Sequence, residues 1–181
     1  MMKTDKRISN TEGKIKAAFF TMLEREPMHK ISVKELCEIA QINRSTFYDH
    51  YSDIYALLDA VEEDCFMQMD VYTDAAIRAY LSGDAQQHAR VLEEMLRFIK
   101  DHNKTFYSLR KHSEENHFEL HLIEYASRQV EEAIGLKDEY ERYSLLFHVT
   151  GSFTVLLRWM ESGYALSVEE MARVLIRGGM L

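Results

Sequence analysis

Ile31-Ser32-Val33-Lys34-Glu35-Leu36-Cys37-Glu38-Ile39-Ala40-Gln41-Ile42-Asn43-Arg44-Ser45-Thr46-Phe47-Tyr48-Asp49-His50-Tyr51-Ser52-Asp53-Ile54-Tyr55-Ala56-Leu57-Leu58 decides the fold. Ser32 opens a helix and Glu35, three residues on, completes a capping box, in which each side chain bonds the other's backbone N–H. The apolar residues Val33, Leu36, Cys37 and Ala40 share one face of that helix. Gln41 to Asn43 break the pattern, and Asn43 is a good N-cap for a second short helix running from Arg44 towards Tyr51. Two short helices with so brief a joint are the sequence picture of a helix-turn-helix. Ser52 and Asp53 then cap a long helix, with Ile54, Leu57, Leu58, Val61, Cys65 and Met69 recurring every three or four residues.

Upstream, Ile15, Ala18, Phe19, Met22 and Leu23 form the apolar face of a first helix that must end before Pro27, because Pro disfavours the helical conformation in the residue ahead of it. Downstream, amphipathic segments follow at roughly 86–101, 104–111, 118–134, 138–161 and 168–176, with Gly83, Gly135 and Gly163 at the joints. Seven Gly and one Pro are too little turn chemistry for a sandwich or barrel. The expectation is an all-α protein with a three-helix helix-turn-helix unit over residues 8–58, joined by a connecting helix to a helical ligand-binding and dimerisation bundle over 59–181. At 181 residues folding buries about 70% of the unfolded surface, so a core forms without metals or disulfides. Cys37 and Cys65 stand far apart and read as reduced thiols. With no apolar run of signal-peptide or membrane-spanning kind, a cytoplasmic protein with no membrane partner is expected.

The quoted segment resembles the DNA-binding domain of the TetR family of bacterial transcriptional regulators. Ser32, Val33, Leu36, Ala40, Ile42, Arg44, Thr46, Phe47, Tyr48, His50, Tyr51, Leu57 and Leu58 match the family pattern at its fixed spacing. Two positions depart from it: the turn Gly is Gln41, and the Lys near the start of the fourth helix is Ile54. A left-handed conformation at Gln41 would be poorly tolerated, and Ile54 removes one phosphate anchor.

The resemblance implies a recognition helix beginning at Arg44, and the residue types suit that role. Ile42 and Phe47 face inwards, while Arg44, Ser45, Thr46 and Tyr48 are left at the exposed end and face, where helix N–H groups and dipole favour phosphate. Arg44 suits a bidentate contact to guanine, and Tyr48 suits thymine methyls or the sugar-phosphate wall. Ser32, Thr46, His50 and Tyr51 suit phosphate contacts that set register, with Lys30 and Lys34 adding nearby charge. Core packing is an equal reading for Tyr51, and a lesser one for Tyr48. Arg44 as a merely solvated charge is also open.

The run from Gly151 to Gly163, containing Trp159, with Ser167 to Met171 after it, looks like the last two helices of such regulators, which in the family form a four-helix dimer interface. Val149, Phe153, Leu156, Leu157 and Met160 are the stripe expected there, although periodicity shows that a face is buried and not against what. Met67, Met69, Met95, Phe98, Phe106, Tyr107, Phe118, Tyr125 and Phe147 suit an adaptable effector pocket, or plain core.

Other chemistry has little support. His117 and His121, with Glu124 on the same face, have a zinc-compatible spacing but no Cys nearby, and read as surface residues. Gly-rich phosphate loops, Gly-x-Ser-x-Gly and His-Glu-x-x-His are absent from the sequence, so neither an enzyme nor a cofactor is expected. The Glu pairs 62–63, 93–94, 114–115, 131–132 and 169–170 point to different sides of their helices and read as solvated. A net charge of −8 at first excludes DNA, yet residues 1–58 hold nine Lys and Arg against eight acids, leaving 13 basic and 22 acidic residues to the body. The acidity thus belongs to the body, net −9, and the head stands at +1. The expected function is a homodimeric regulator, by family default a repressor, that binds a palindromic double-stranded operator under control of a small-molecule effector. The alternative is a helical co-regulator acting through a protein partner.

Overall fold

The computed structural model describes the backbone of residues 2–112 and 117–178 and the side chains of residues 10–111 and 117–178. The Glu114–Glu115 pair lies outside the described residues. Helices α1 (Met2–Leu23), α2 (Val33–Ala40), α3 (Arg44–Tyr48), α4 (Ile54–Leu81), α5 (Ala85–Asp101), α6 (Asn103–His112), α7 (His117–Ile134), α8 (Glu139–Glu161) and α9 (Val168–Gly178) follow one another, with a short 3-10 turn at Met28–Lys30. No strand occurs among the described residues, so the fold is all-α as expected. Asp53 caps α4 as the sequence reading expects, accepting from Ala56 at 2.9 Å, and Asp84 and Asp138 cap α5 and α8 in the same way, accepting from Gln87 and Glu141 at 2.8 and 2.9 Å. Gly83, Gly135 and Gly163 adopt left-handed backbones at the joints, φ 72°, 70° and 69°. The helix expected to reach towards Tyr51 stops at Tyr48, where the N–H of Asp49 still bonds the Ser45 carbonyl at 2.9 Å.

The chain forms two compact units, one from residues 1–65 and 107–117, the other from 66–106 and 118–181. The first unit therefore extends seven residues beyond the boundary expected at 58 and takes in part of α6 as well. That inclusion has a core reason, since Leu109 is fully buried and Ser108 nearly so. Ile15, Ala18, Phe19, Met22 and Leu23 of α1 are all buried, as are Leu36, Phe47 and Leu57. Lys16 of α1 pairs with Asp64 of α4, tying the first helix to the fourth.

In the second unit Leu96, Leu156, Trp159, Val168, Met171 and Ala172 form a cluster joining α5, α8 and α9. The indole N–H of Trp159 donates to the Leu166 carbonyl at 2.8 Å, satisfying the one polar atom of that ring. Tyr164 meets the Trp159 ring edge-on at 4.8 Å, with a positive φ of 63° directly after Gly163. Successive left-handed residues reverse the chain between α8 and α9, and the aromatic contact offsets the strain at Tyr164. No described helix is long and apolar enough to cross a membrane.

Candidate nucleic-acid interface and apolar cavity

The helix-turn-helix is built from its caps outward. The Ser32 hydroxyl accepts from the Glu35 N–H at 3.2 Å, which fixes where α2 begins. At its other end Gln41 is left-handed, φ 55° and ψ 49°, at the position where the family carries Gly. The turn closes through the N–H groups of Gln41 and Ile42, which donate to Glu38 and Cys37 at 3.3 and 3.0 Å. Gln41 therefore carries conformational strain that Gly would not. Asn43 has the extended backbone of an N-cap, although its side chain makes no capping bond.

Phe47 is 0% exposed and anchors α3, while Tyr48 meets its edge and projects 55% exposed. Arg44 and Ser45 are exposed beside it and Thr46 is half-buried. Lys30, Ser32 and Lys34 are exposed too. Two of the sequence candidates lie elsewhere. Tyr51 is buried, 5.8 Å from the Phe47 ring, so the core reading holds; burial, then Glu12 and Asp64, push its hydroxyl up to about 12. His50 is half-buried with Nδ1 3.4 Å from a Glu12 carboxylate oxygen, leaving any phosphate contact to its other ring nitrogen. Ile54, in place of the family's Lys, is buried, whereas its neighbour Tyr55 is 53% exposed. Tyr55 was not singled out by sequence, although an aromatic in the first turn of an Asp-capped helix beside the recognition helix was the available signal.

The second unit holds a partly open cavity of about 270 Å³ lined from α4, α5, α7, α8 and α9. Of the residues proposed for a pocket, Met95 and Tyr125 line it, as does Met69. Phe98, Phe106 and Phe118 do not: Phe98 stacks on His102 at 4.1 Å, and Phe106 and Phe118 are buried against each other. Tyr107 belongs to the first unit and is exposed, and Phe147 is 75% exposed on α8. Residue type alone does not separate these environments.

The stripe expected at a dimer interface is likewise redistributed. Val149, Phe153 and Leu156 line the cavity, and Leu157 and Met160 are half-buried. The outward face of α8 instead carries Tyr140, Tyr143, Phe147, Gly151 and Thr154, all exposed and spaced three or four residues apart. α8 thus carries apolar residues on two opposite faces, and part of the expected stripe faces the cavity.

Polar groups around the cavity are few. Tyr125 donates its hydroxyl to Asp70 at 2.7 and 2.8 Å and accepts from Gln129 at 3.2 Å. Burial, then the bond to Asp70, hold the Tyr125 hydroxyl above its usual range. Burial lowers the pKa of His88. His148 lines the cavity and has a buried Nδ1 with no hydrogen-bond partner. Of the histidines weighed for zinc, His117 has Nδ1 3.4 Å from a carboxylate oxygen of the buried Glu62, and His121 stands edge-on to Phe66 at 5.1 Å; the carboxylate grouped with them is Glu62 and not the exposed Glu124.

Residues 86–177 match the family described as the TetR-type transcriptional regulator C-terminal region. No curated protein matches the sequence. Among solved structures, the chain is similar to a TetR transcriptional regulator from Streptococcus agalactiae 2603V, with 21% identity over 99% of both chains and a TM-score of 0.70. It is also similar to the dihydroxyacetone kinase operon activator DhaS, with 20% identity over 92% of both chains and a TM-score of 0.59.

Proposed function

We propose, since the chain belongs to the TetR family of transcriptional regulators, that it is a cytoplasmic homodimer that binds a palindromic operator and represses until an effector enters the cavity of the second unit. The observation that carries the DNA-binding role is α3 itself. A fully buried Phe47 fixes a helix of five residues so that Arg44, Ser45 and Tyr48 stay exposed. In this reading Arg44 reads a guanine and Tyr48 a thymine methyl or sugar edge. Lys30, Ser32, Lys34, Thr46, the free side of His50 and Tyr55 hold phosphates and set register. Tyr51 is left to the core.

The dimer forms through the outward face of α8. Tyr140, Tyr143 and Phe147 supply apolar contact, and Gly151 with Thr154 lets a partner helix approach closely. An unpaired apolar stripe of this size on a regulator that must place two recognition helices about 34–36 Å apart is the expected mark of a dimer. Effector release follows from linkage: a hundredfold loss of operator affinity needs about 2.7 kcal/mol of preference for the differently spaced dimer.

The experiment is a titration of the protein against duplexes carrying palindromes from adjacent intergenic DNA, with random duplex as competitor. Specific binding, weakened by salt, is expected. The second reading, an activator or co-regulator working through a protein partner, is favoured by the buried Ile54 in place of a phosphate anchor and by the likeness to an operon activator. Absence of duplex binding even at low salt would overturn the first reading in its favour.

A further inference from the structure

We propose that the cavity of the second unit accepts an uncharged, largely apolar molecule of bicyclic size, held by a single hydrogen bond to His148. The inference rests on the regulator reading and gives its effector a chemical class.

The walls decide the charge. No Lys, Arg, Asp or Glu is among the lining residues, and most of the wall is apolar, with Phe66, Met69, Leu92, Met95, Phe153 and Leu156 among its residues. A charged ligand seated against these walls loses part of its water with no opposite charge among them to meet it, which disfavours the charged form. His88 does not supply the missing cation, because burial favours its neutral form.

The same walls decide the polar contact. The Tyr125 hydroxyl proton is committed to Asp70, and the Gln129 amide donates both to Asp70 at 3.3 Å and to Tyr125 at 3.2 Å. That trio satisfies its own members. Among the described lining residues, His148 instead is the one with a buried polar atom that lacks a partner, its Nδ1. A half-turn of the imidazole exchanges its nitrogen and carbon edges at little structural cost, and that turn is what brings a nitrogen to a ligand hydroxyl or carbonyl. The volume, about 270 Å³, falls just under the roughly 300–1,000 Å³ range of small-molecule sites, which sets the bicyclic size.

Three probes share one skeleton and separate these terms: naphthalene, 1-naphthol and 1-naphthoate. Calorimetric titration of the full chain without DNA is expected to rank 1-naphthol first, naphthalene about tenfold weaker and 1-naphthoate about a hundredfold weaker or undetectable. His148→Leu should erase the advantage of 1-naphthol over naphthalene and leave naphthalene binding in place. Ala126→Phe and, from a different helix, Ala76→Phe fill the space and should each abolish 1-naphthol binding with helicity retained in circular dichroism. Tight 1-naphthoate binding, 1-naphthol binding that survives both fillings, or no binding by any probe would overturn the proposal. A 1-naphthol advantage that persists in His148→Leu would overturn the role of His148. Because these titrations contain no duplex, their failure is distinct from failure of the regulator reading, which the duplex titration alone judges.

Discussion

At Arg44 the difference between a reader of bases and a holder of phosphate is measurable. A bidentate Arg–guanine contact contributes about 1–3 kcal/mol of discrimination, so Arg44→Ala should weaken operator binding by that amount and relax preference at one base pair. Equal weakening across all duplexes would make it a phosphate contact. Gln41 offers a test independent of DNA. A left-handed L-residue costs roughly 1–2 kcal/mol, and the greater unfolded-state freedom of Gly returns roughly 0.4–1 kcal/mol of that. Gln41→Gly should therefore stabilise the first unit by about 0.5–1 kcal/mol in urea denaturation, and a loss of stability would show that the Gln side chain has a role of its own. The sequence marked this residue because the family carries Gly there, and the structure gives it φ 55°. His88 was not legible in that way. Its folded pKa is lowered by burial, so below the unfolded value near 6.5 the unfolded chain binds more protons and stability falls as pH falls. His88→Gln should lessen the drop in melting temperature between neutral pH and pH 5.5; equal drops in both proteins would remove His88 from the account.

Helix starts were largely readable because capping chemistry is local. Asp53, Asp84 and Asp138 each meet a backbone N–H three residues ahead, a distance set by the helix itself. What α8 faces was not readable, because periodicity reports that a stripe is apolar and leaves its partner open. Tyr140, Tyr143 and Phe147 on one side and Val149, Phe153 and Leu156 on the other are chemically alike, and only packing separates them. The separation yields a sharp expectation. Phe147 is 75% exposed, so Phe147→Glu should leave the fold of the single chain intact while placing like charges across the two-fold axis of a dimer. Sedimentation should show a shift from dimer to monomer at micromolar concentration, with helicity unchanged. A dimer that persists would move the interface off α8. Phe153→Glu, by contrast, puts a charge into the cavity wall and should destabilise the monomer itself.

Charge is uneven over the whole chain, and under the proposed function the unevenness limits how a duplex would be bound. Of the nine basic residues in 1–58, Lys30, Lys34 and Arg44 are the exposed ones on or beside the helix-turn-helix, while Lys16 is spent on Asp64. A dimer then brings about six such cations to an operator, and counterion release at roughly 0.9 per neutralised phosphate sets a slope of log affinity against log salt near −5. The acidic remainder, net −9 per chain, adds repulsion that salt screens, which makes the observed slope shallower still. Under the proposed function bulk attraction would therefore be weak, and neutral contacts from Ser32, Ser45, Thr46, Tyr48 and Tyr55, doubled by dimerisation, would supply much of the affinity. Two measurements separate this picture from ordinary basic DNA binding. The salt slope on a palindromic operator should lie between about −3 and −5. A single half-site should bind far more weakly than the palindrome, since each head alone is nearly neutral. A slope well beyond −5, or a half-site bound as tightly as the whole, would mean that cations other than Lys30, Lys34 and Arg44 reach the duplex.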